Sequence, residues 1–358
     1  MRYAWALLAS FLPTAATAQA EWDARAVATY LDDRVSHWLS WPNAARDHGT
    51  SCVSCHTGLP YALARGSLRR ALHEDARSTP EEAMLEQVSR RVRMWREVEP
   101  YYSDQRNGLP KTSESRGTEA VISAVVLATR DAEQGAMSDD LRQAFSNLWA
   151  LQMRRGPLQG AWAWLEFGLE PWEGPASSYF GASLAAIAVG TAPDDYAATP
   201  AIQEQLGLLR AYLRNGGDTE SLFNRLMILW AASELAGILE ESQQRVIVGE
   251  TLSAQRADGG WSVAALAPWQ RTDGSVLPDA SDAYATALAV LVLQKAGGPA
   301  NSAAVERGRA WLIANQNQET GAFPAWSINR ERDPATEPAK FMSDAATALA
   351  ALALSGQR

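Results

Sequence analysis

The chain is poor in the residues that most often carry chemistry. Its 358 residues include only two cysteines and four histidines. One pair of cysteines excludes a disulfide-rich secreted scaffold and leaves no second ligand pair for a structural zinc site. Excess positive charge is missing as well: 32 Lys and Arg stand against 41 Asp and Glu, a net charge of −9. A sequence-independent grip on nucleic acid needs clustered cations, so no nucleic-acid partner is expected. The one dense basic run, Arg90, Arg91, Arg93 and Arg96, reads as the covering of an outer helix. Sustained period-two alternation is absent, which argues against sheets. After the first residues, no stretch approaches the roughly 20 apolar residues that span a bilayer.

The first residues are different. Arg2 supplies a positive charge, Ala4 to Leu12 is a short apolar run, and Ala18-Gln19-Ala20 has the small-x-small form of a cleavage site. This pattern predicts a secretory signal peptide over residues 1–20, and hence a periplasmic protein with no integral membrane segment after cleavage. The remainder, 21–358, is expected to form a single domain.

What fills that domain is helix. Long Ala- and Leu-rich segments alternate with Gly-, Pro- and Trp-bearing loops, and the helices fall into pairs, as in repeat architectures. One set is apolar nearly all round: 59–74, 118–130, 178–189, 219–236, 282–295 and 344–354. The other is amphipathic and charged: 23–39, 80–98, 138–153, 199–214, 241–254 and 302–316. Strict alternation of six buried and six amphipathic helices predicts an all-α (α/α)6 barrel, or toroid, with the apolar set inside. Asp282 and Asp344 read as N-caps of inner helices. All loops from an outer helix to its inner partner then gather at one mouth, as do the N-termini of the inner helices with their positive dipole ends.

Three of those loops share a motif. Gln255 to Gly259-Gly260-Trp261 is QxxxGxW, Gln316 to Gly321-Ala322-Phe323 is a looser copy, and Gln152 to Gly160-Ala161-Trp162 is a degenerate one. The motif resembles the repeat of squalene-hopene and oxidosqualene cyclases, whose fold is akin to the prenyltransferase barrels. The resemblance implies the toroid, with a structural role for these residues. It does not carry cyclase chemistry across: the acidic DxDD of such enzymes has only Asp279-Ala280-Ser281-Asp282 as a counterpart. A prenyltransferase would need a zinc site that two cysteines do not supply.

The first mouth loop, 40–58, holds Cys52-Val53-Ser54-Cys55-His56. Two thiols at this spacing followed by His read as the attachment motif of a c-type haem, with His56 as the proximal iron ligand. One covalent haem c is therefore expected on Cys52 and Cys55. The stretch from Cys55 to Tyr61 also resembles small cytochromes c locally. For a second axial ligand, Met94, Met153, Met342 and His48 are the candidates by position. Tyr61, Tyr101 and Tyr102 are possible hydrogen-bond donors to the haem or its ligand, and Arg46, Arg65 and Lys111 are candidate propionate partners. Trp162, Trp164, Trp172, Trp261, Trp269 and Trp326 either line an apolar cavity or belong to the repeat stacks.

Two functions follow as expectations. The first is a mono-haem protein of oxidoreduction, either an electron-transfer partner or a haem enzyme acting on a peroxide or an apolar, isoprenoid-like substrate. Its partner would be a redox protein or a small apolar molecule. The alternative is a toroid polysaccharide lyase or glycosidase, or a terpene-cyclase-like protein, in which haem or a disulfide is only a structural staple. For the sugar reading, Asp258 and Asp273 are candidate acid/base carboxylates.

Overall fold

A computed structural model describes residues 21–356, so the expected signal peptide lies outside the described residues. Among these, the outer helices are α1 (Ala24–Ser40), α3 (Thr79–Arg93), α6 (Asp139–Leu151), α8 (Gln203–Gly216), α10 (Glu241–Ser253) and α12 (Pro299–Asn315). The inner helices are α2 (Gly58–Ala71), α5 (Lys111–Gln134), α7 (Ser177–Thr191), α9 (Leu222–Glu234), α11 (Ala283–Ala296) and α13 (Glu337–Ser355). A single turn, α4 (Asp104–Asn107), lies in a mouth loop. The inner helices pack in order, α2 on α5, α5 on α7, and so on to α13, which returns to α2. The (α/α)6 toroid is therefore closed, as the alternation of helix types predicts.

The inner set is buried because it has no polar face. In α11 every residue from Ala283 to Leu293 is buried, whereas α3 buries one stripe and turns most of its charges, Glu81 and Arg91 excepted, outward. Two inner helices start earlier than their apolar stretches suggest: α5 at Lys111 and α13 at Glu337. Thr118 and Asp344 look like caps in the sequence but sit inside these helices. Thr118 Oγ1 accepts the amide of Leu165, and Asp344 holds Arg34 and Thr57. Asp282 is a cap as expected, accepting from the amides of Tyr284 and Ala285.

The QxxxGxW copies act as hydrogen-bonded clasps between successive outer helices. Gln152 Nε2 donates to Gly160 O within its own loop and to Gln205 O of α8. Gln255 Nε2 does the same to Gly259 O and to Ala304 O of α12. Gln316 reaches Gly321 O and both backbone groups of Asp23, at the head of α1. The third clasp thus closes the ring. Each Gly has a positive φ and lies against the backbone of the next outer helix; a Cβ on Gly321 would sit 2.3 Å from Ala26 C. The indole N–H groups of Trp162 and Trp261 donate to Leu148 O and Thr251 O. These two tryptophans belong to the clasps and do not line a cavity.

The toroid axis is filled. A cavity bordered by Cys55, Leu63, Trp172, Met227, Tyr284 and Leu349 holds about 40 Å³, far below the roughly 300–1,000 Å³ of a small-molecule pocket. The space between the inner helices is therefore narrow. A larger hollow of about 1020 Å³ opens at the opposite end, beside Gln294, Gly297 and Arg309. It borders the first described residues, Glu21 and Trp22, and lies away from the residues discussed below.

Candidate functional site at the toroid mouth

The loop bearing Cys52 is the most firmly held part of the mouth. Ala45–Arg46 and Thr50–Ser51 pair as a small antiparallel hairpin, β1 and β2, turned by His48 and Gly49, both at positive φ. Asp47 Oδ2 receives the amide of Glu99. Arg91 reaches in from α3, donating to Thr50 Oγ1 and Glu99 O and pairing with Glu119 at 2.5 Å. Both charges are fully buried. The basic run is thus not uniformly surface: Arg91 points inward and stacks over Tyr101 at 4.5 Å.

After the hairpin, Trp38 Nε1 donates to Cys52 O. Ser54 Oγ accepts from the amides of Thr57 and Gly58, which lets α2 begin directly after His56. Cys52 and Cys55 are free thiols. Burial pushes Cys52 up to about 12 and Cys55 well above the ordinary thiol value, and the negative charge of Glu173 adds to both shifts.

His56 is enclosed by aromatic rings. Phe341 stacks on it at 3.7 Å, Trp38 meets it edge-on at 4.9 Å, and Trp172 lies at 6.2 Å. Burial pulls its imidazole down to about 3, and the positive charge of Arg34 works in the same direction, so the ring is neutral at physiological pH. Its Nδ1 meets Thr57 Oγ1 at 2.9 Å.

The residues singled out from the sequence divide sharply. Arg46, Lys111, Tyr101 and Tyr102 come together at the mouth: Arg46 lies over Tyr102 at 5.0 Å and Lys111 over Phe167 at 4.9 Å. Tyr61 and Arg65 do not join them. They turn toward α1, where both bond Asp32 and Arg65 also pairs with Glu74. Met94 ends α3. Met153 is exposed and backbone-paired with Ala161, and Met342 is buried in α13 beside Phe341. His48 is exposed and bonded to Asp47. Trp164 donates to Trp172 O, Trp269 packs edge-on to Phe223, and Trp326 is exposed, its amide bound to Asp282.

Asp258 and Asp273, the candidate acid/base carboxylates, are each tied into loop hydrogen bonds. Asp258 accepts from Ser281, Trp311 and Gly260. Asp273 accepts from Ser275 and the Glu331 amide, and those bonds hold it at about 2. Both clip loops together as settled anions.

The carboxyl that departs from ordinary behaviour is Glu173, which carried no sequence signal beyond its place between Trp172 and Gly174. A tight exchange of backbone bonds with Phe167 and Leu169 sets its position. Burial raises it to about 7 against the pull of Lys111, and no hydrogen bond contributes. Phe167 and Leu169, backbone-bonded to it, are exposed, and other mouth loops expose Leu109, Met153, Val276 and Trp326. Together these offer a proton-holding carboxyl, two cations and an apolar, aromatic rim.

No protein-family model matches this chain, and no curated protein matches it in sequence. Solved structures do. A polysaccharide lyase superposes with a TM-score of 0.54 at 12% identity, covering 93% of this chain and 97% of its own. A possible member of the GH105 family from Klebsiella pneumoniae gives 0.52 at 11%, covering 98% of each chain. A glycosidase gives 0.50 at 13%, covering 93% and 99%. At such identities the likeness is one of fold, the same toroid.

These findings correct the expectation of a cytochrome whose work is electron transfer or oxidoreduction. The similar structures are a lyase and glycosidases. Among the described residues, no group of three or more His, Cys, Asp or Glu side chains gathers to hold a metal ion. Nor is any described helix long and apolar enough to cross a membrane.

Proposed function

We propose that this chain is an exported, periplasmic carbohydrate-active enzyme of the lyase or glycosidase kind, working at the mouth of its toroid. The observation that carries the reading is Glu173, a carboxyl held near neutral pH at the place where the mouth loops converge. A group titrating near the working pH is suited to give or take a proton in glycosidic-bond cleavage. Lys111, which pulls on Glu173, and Arg46, over Tyr102, are cations suited to an anionic sugar, and the exposed aromatic rings suit the apolar faces of pyranose rings. The toroids of similar fold, a polysaccharide lyase and glycosidases, support the same class.

The test is a panel of neutral and acidic polysaccharides and their oligosaccharides, followed by reducing-end release and by ultraviolet absorbance of new double bonds. Glu173→Gln should lower kcat by roughly 10²–10⁴-fold while leaving KM within a few-fold. A correctly folded wild-type chain inactive on every member of the panel overturns the reading.

Cys52, Cys55 and His56 serve in this proposal as the anchor of one covalent haem c, a staple for the first mouth loop. The donor set supports it: two free thiols at the attachment spacing, and a neutral imidazole whose Nδ1 is already engaged. When bound, the haem would add two thioether cross-links and an iron–imidazole bond to the loop. The mass of the full chain, exported in a host that assembles c-type cytochromes, should show one haem. Cys52→Ala with Cys55→Ala should remove it and lower the melting temperature without lowering turnover per folded molecule. Full haem retention in that double variant overturns the anchor.

A further inference from the structure

We propose that Asp344, acting through the Thr57 hydroxyl, fixes the tautomer of His56 so that Nδ1 bears the proton and Nε2 keeps a free lone pair. Both are positioning residues. The inference deepens the haem-anchor reading, on which it rests for what Nε2 would bind; the tautomer itself follows from hydrogen-bond bookkeeping.

Thr57 Oγ1 lies 2.7 Å from Asp344 Oδ2 and 2.9 Å from His56 Nδ1. A hydroxyl has one hydrogen to give. Asp344 is locked as an acceptor: Arg34 Nε donates to Oδ1 at 2.8 Å and Nη2 to Oδ2 at 3.0 Å, and Tyr30 adds its own hydroxyl to Oδ1 at 2.8 Å. A guanidinium never accepts and keeps its charge, so the Thr57 hydrogen goes to the carboxylate, the stronger acceptor. The lone pair of Thr57 then faces Nδ1, which must supply the hydrogen. A neutral imidazole carries only one, so Nε2 has none. The nearest rings are those of Phe341, Trp38 and Trp172.

The same arrangement recurs where a histidine binds a metal: the distal nitrogen donates to an acceptor that sets ring orientation and basicity. Here the acceptor comes from α13 and its counter-cation from α1, the two helices that meet where the ring closes.

The chain has only four histidines, so full-length protein with ¹⁵N-histidine gives a tractable nitrogen spectrum. In wild type made without haem attachment, where no iron occupies Nε2, His56 should show a protonated Nδ1 and a bare Nε2. Thr57→Val keeps the side-chain volume but removes the hydroxyl, and should convert His56 to the other tautomer or to a mixture. Thr57→Ser should restore the wild-type pattern. An unchanged spectrum in Thr57→Val overturns the relay. Mass measurement on exported wild type separates the two ideas: a chain without haem that keeps the tautomer supports the relay and overturns the anchor.

Discussion

Phe341 lies flat on His56, ring centroids 3.7 Å apart and planes 15° from parallel. Trp38 meets the edges of both, at 4.9 Å from His56 and 6.0 Å from Phe341. One ring comes from α1, one from α13 and one from the loop between α1 and α2. The contact therefore couples the closure of the toroid to the geometry of the mouth.

Phe341→Leu keeps an apolar side chain but loses the stacked pair. The expected cost is about 1 kcal/mol, read as a lower urea midpoint with an unchanged slope. Phe341→Tyr should be closer to neutral, because the ring survives.

Glu173→Gln should change stability in a pH-dependent way. The folded carboxyl titrates at about 7 and an ordinary glutamate near 4.5. Between those values the unfolded chain ionises first, so Glu173 costs stability progressively as pH rises and the full cost applies above 7. The melting-temperature gain of the variant over wild type should be small at pH 4.5, grow toward pH 7 and level off above it.

Arg91→Met should be among the most damaging single changes, costing about 3–5 kcal/mol by chemical denaturation, because it takes the directly hydrogen-bonded cation from buried Glu119 and leaves it only Arg116 at 3.6 Å. The double variant with Glu119→Leu should recover much of the loss. That recovery distinguishes a stranded charge from simple loss of packing.

Two glycines should respond in opposite directions to alanine. Gly249, in the interior of α10, has open space around its missing Cβ, so Gly249→Ala should stabilise by about 0.5–1 kcal/mol. Gly321 combines φ +76° with the Ala26 backbone at 2.3 Å, so Gly321→Ala should destabilise clearly in the same thermal melts.

The alternation of apolar and amphipathic helices made the toroid readable, because a ring of inner helices leaves them no solvent face. Helix starts were misread where a cap-type residue does tertiary work: Thr118 and Asp344 keep their side chains for partners on other elements. At the mouth, Arg46 and Lys111 were placed by loop position, while Tyr61 and Arg65 were lost because their helix phase points them at Asp32. Glu173 was invisible because its character comes from burial by residues distant in sequence. The pairing of Asp258 with Asp273 failed for a related reason. Each takes donors two residues on and others from distant segments, which the sequence alone does not reveal.

The third clasp joins Gln316 to Asp23 across 293 positions of the chain. A chain made from its N-terminus presents α1 and the Cys52 loop long before Gln316. Until then the helices can form only an open arc. Closure of the ring is the step of greatest loop length and hence of greatest entropic delay. The seam thus makes neighbours of the first and last repeats, so that neither end of the chain can complete its packing before the other exists.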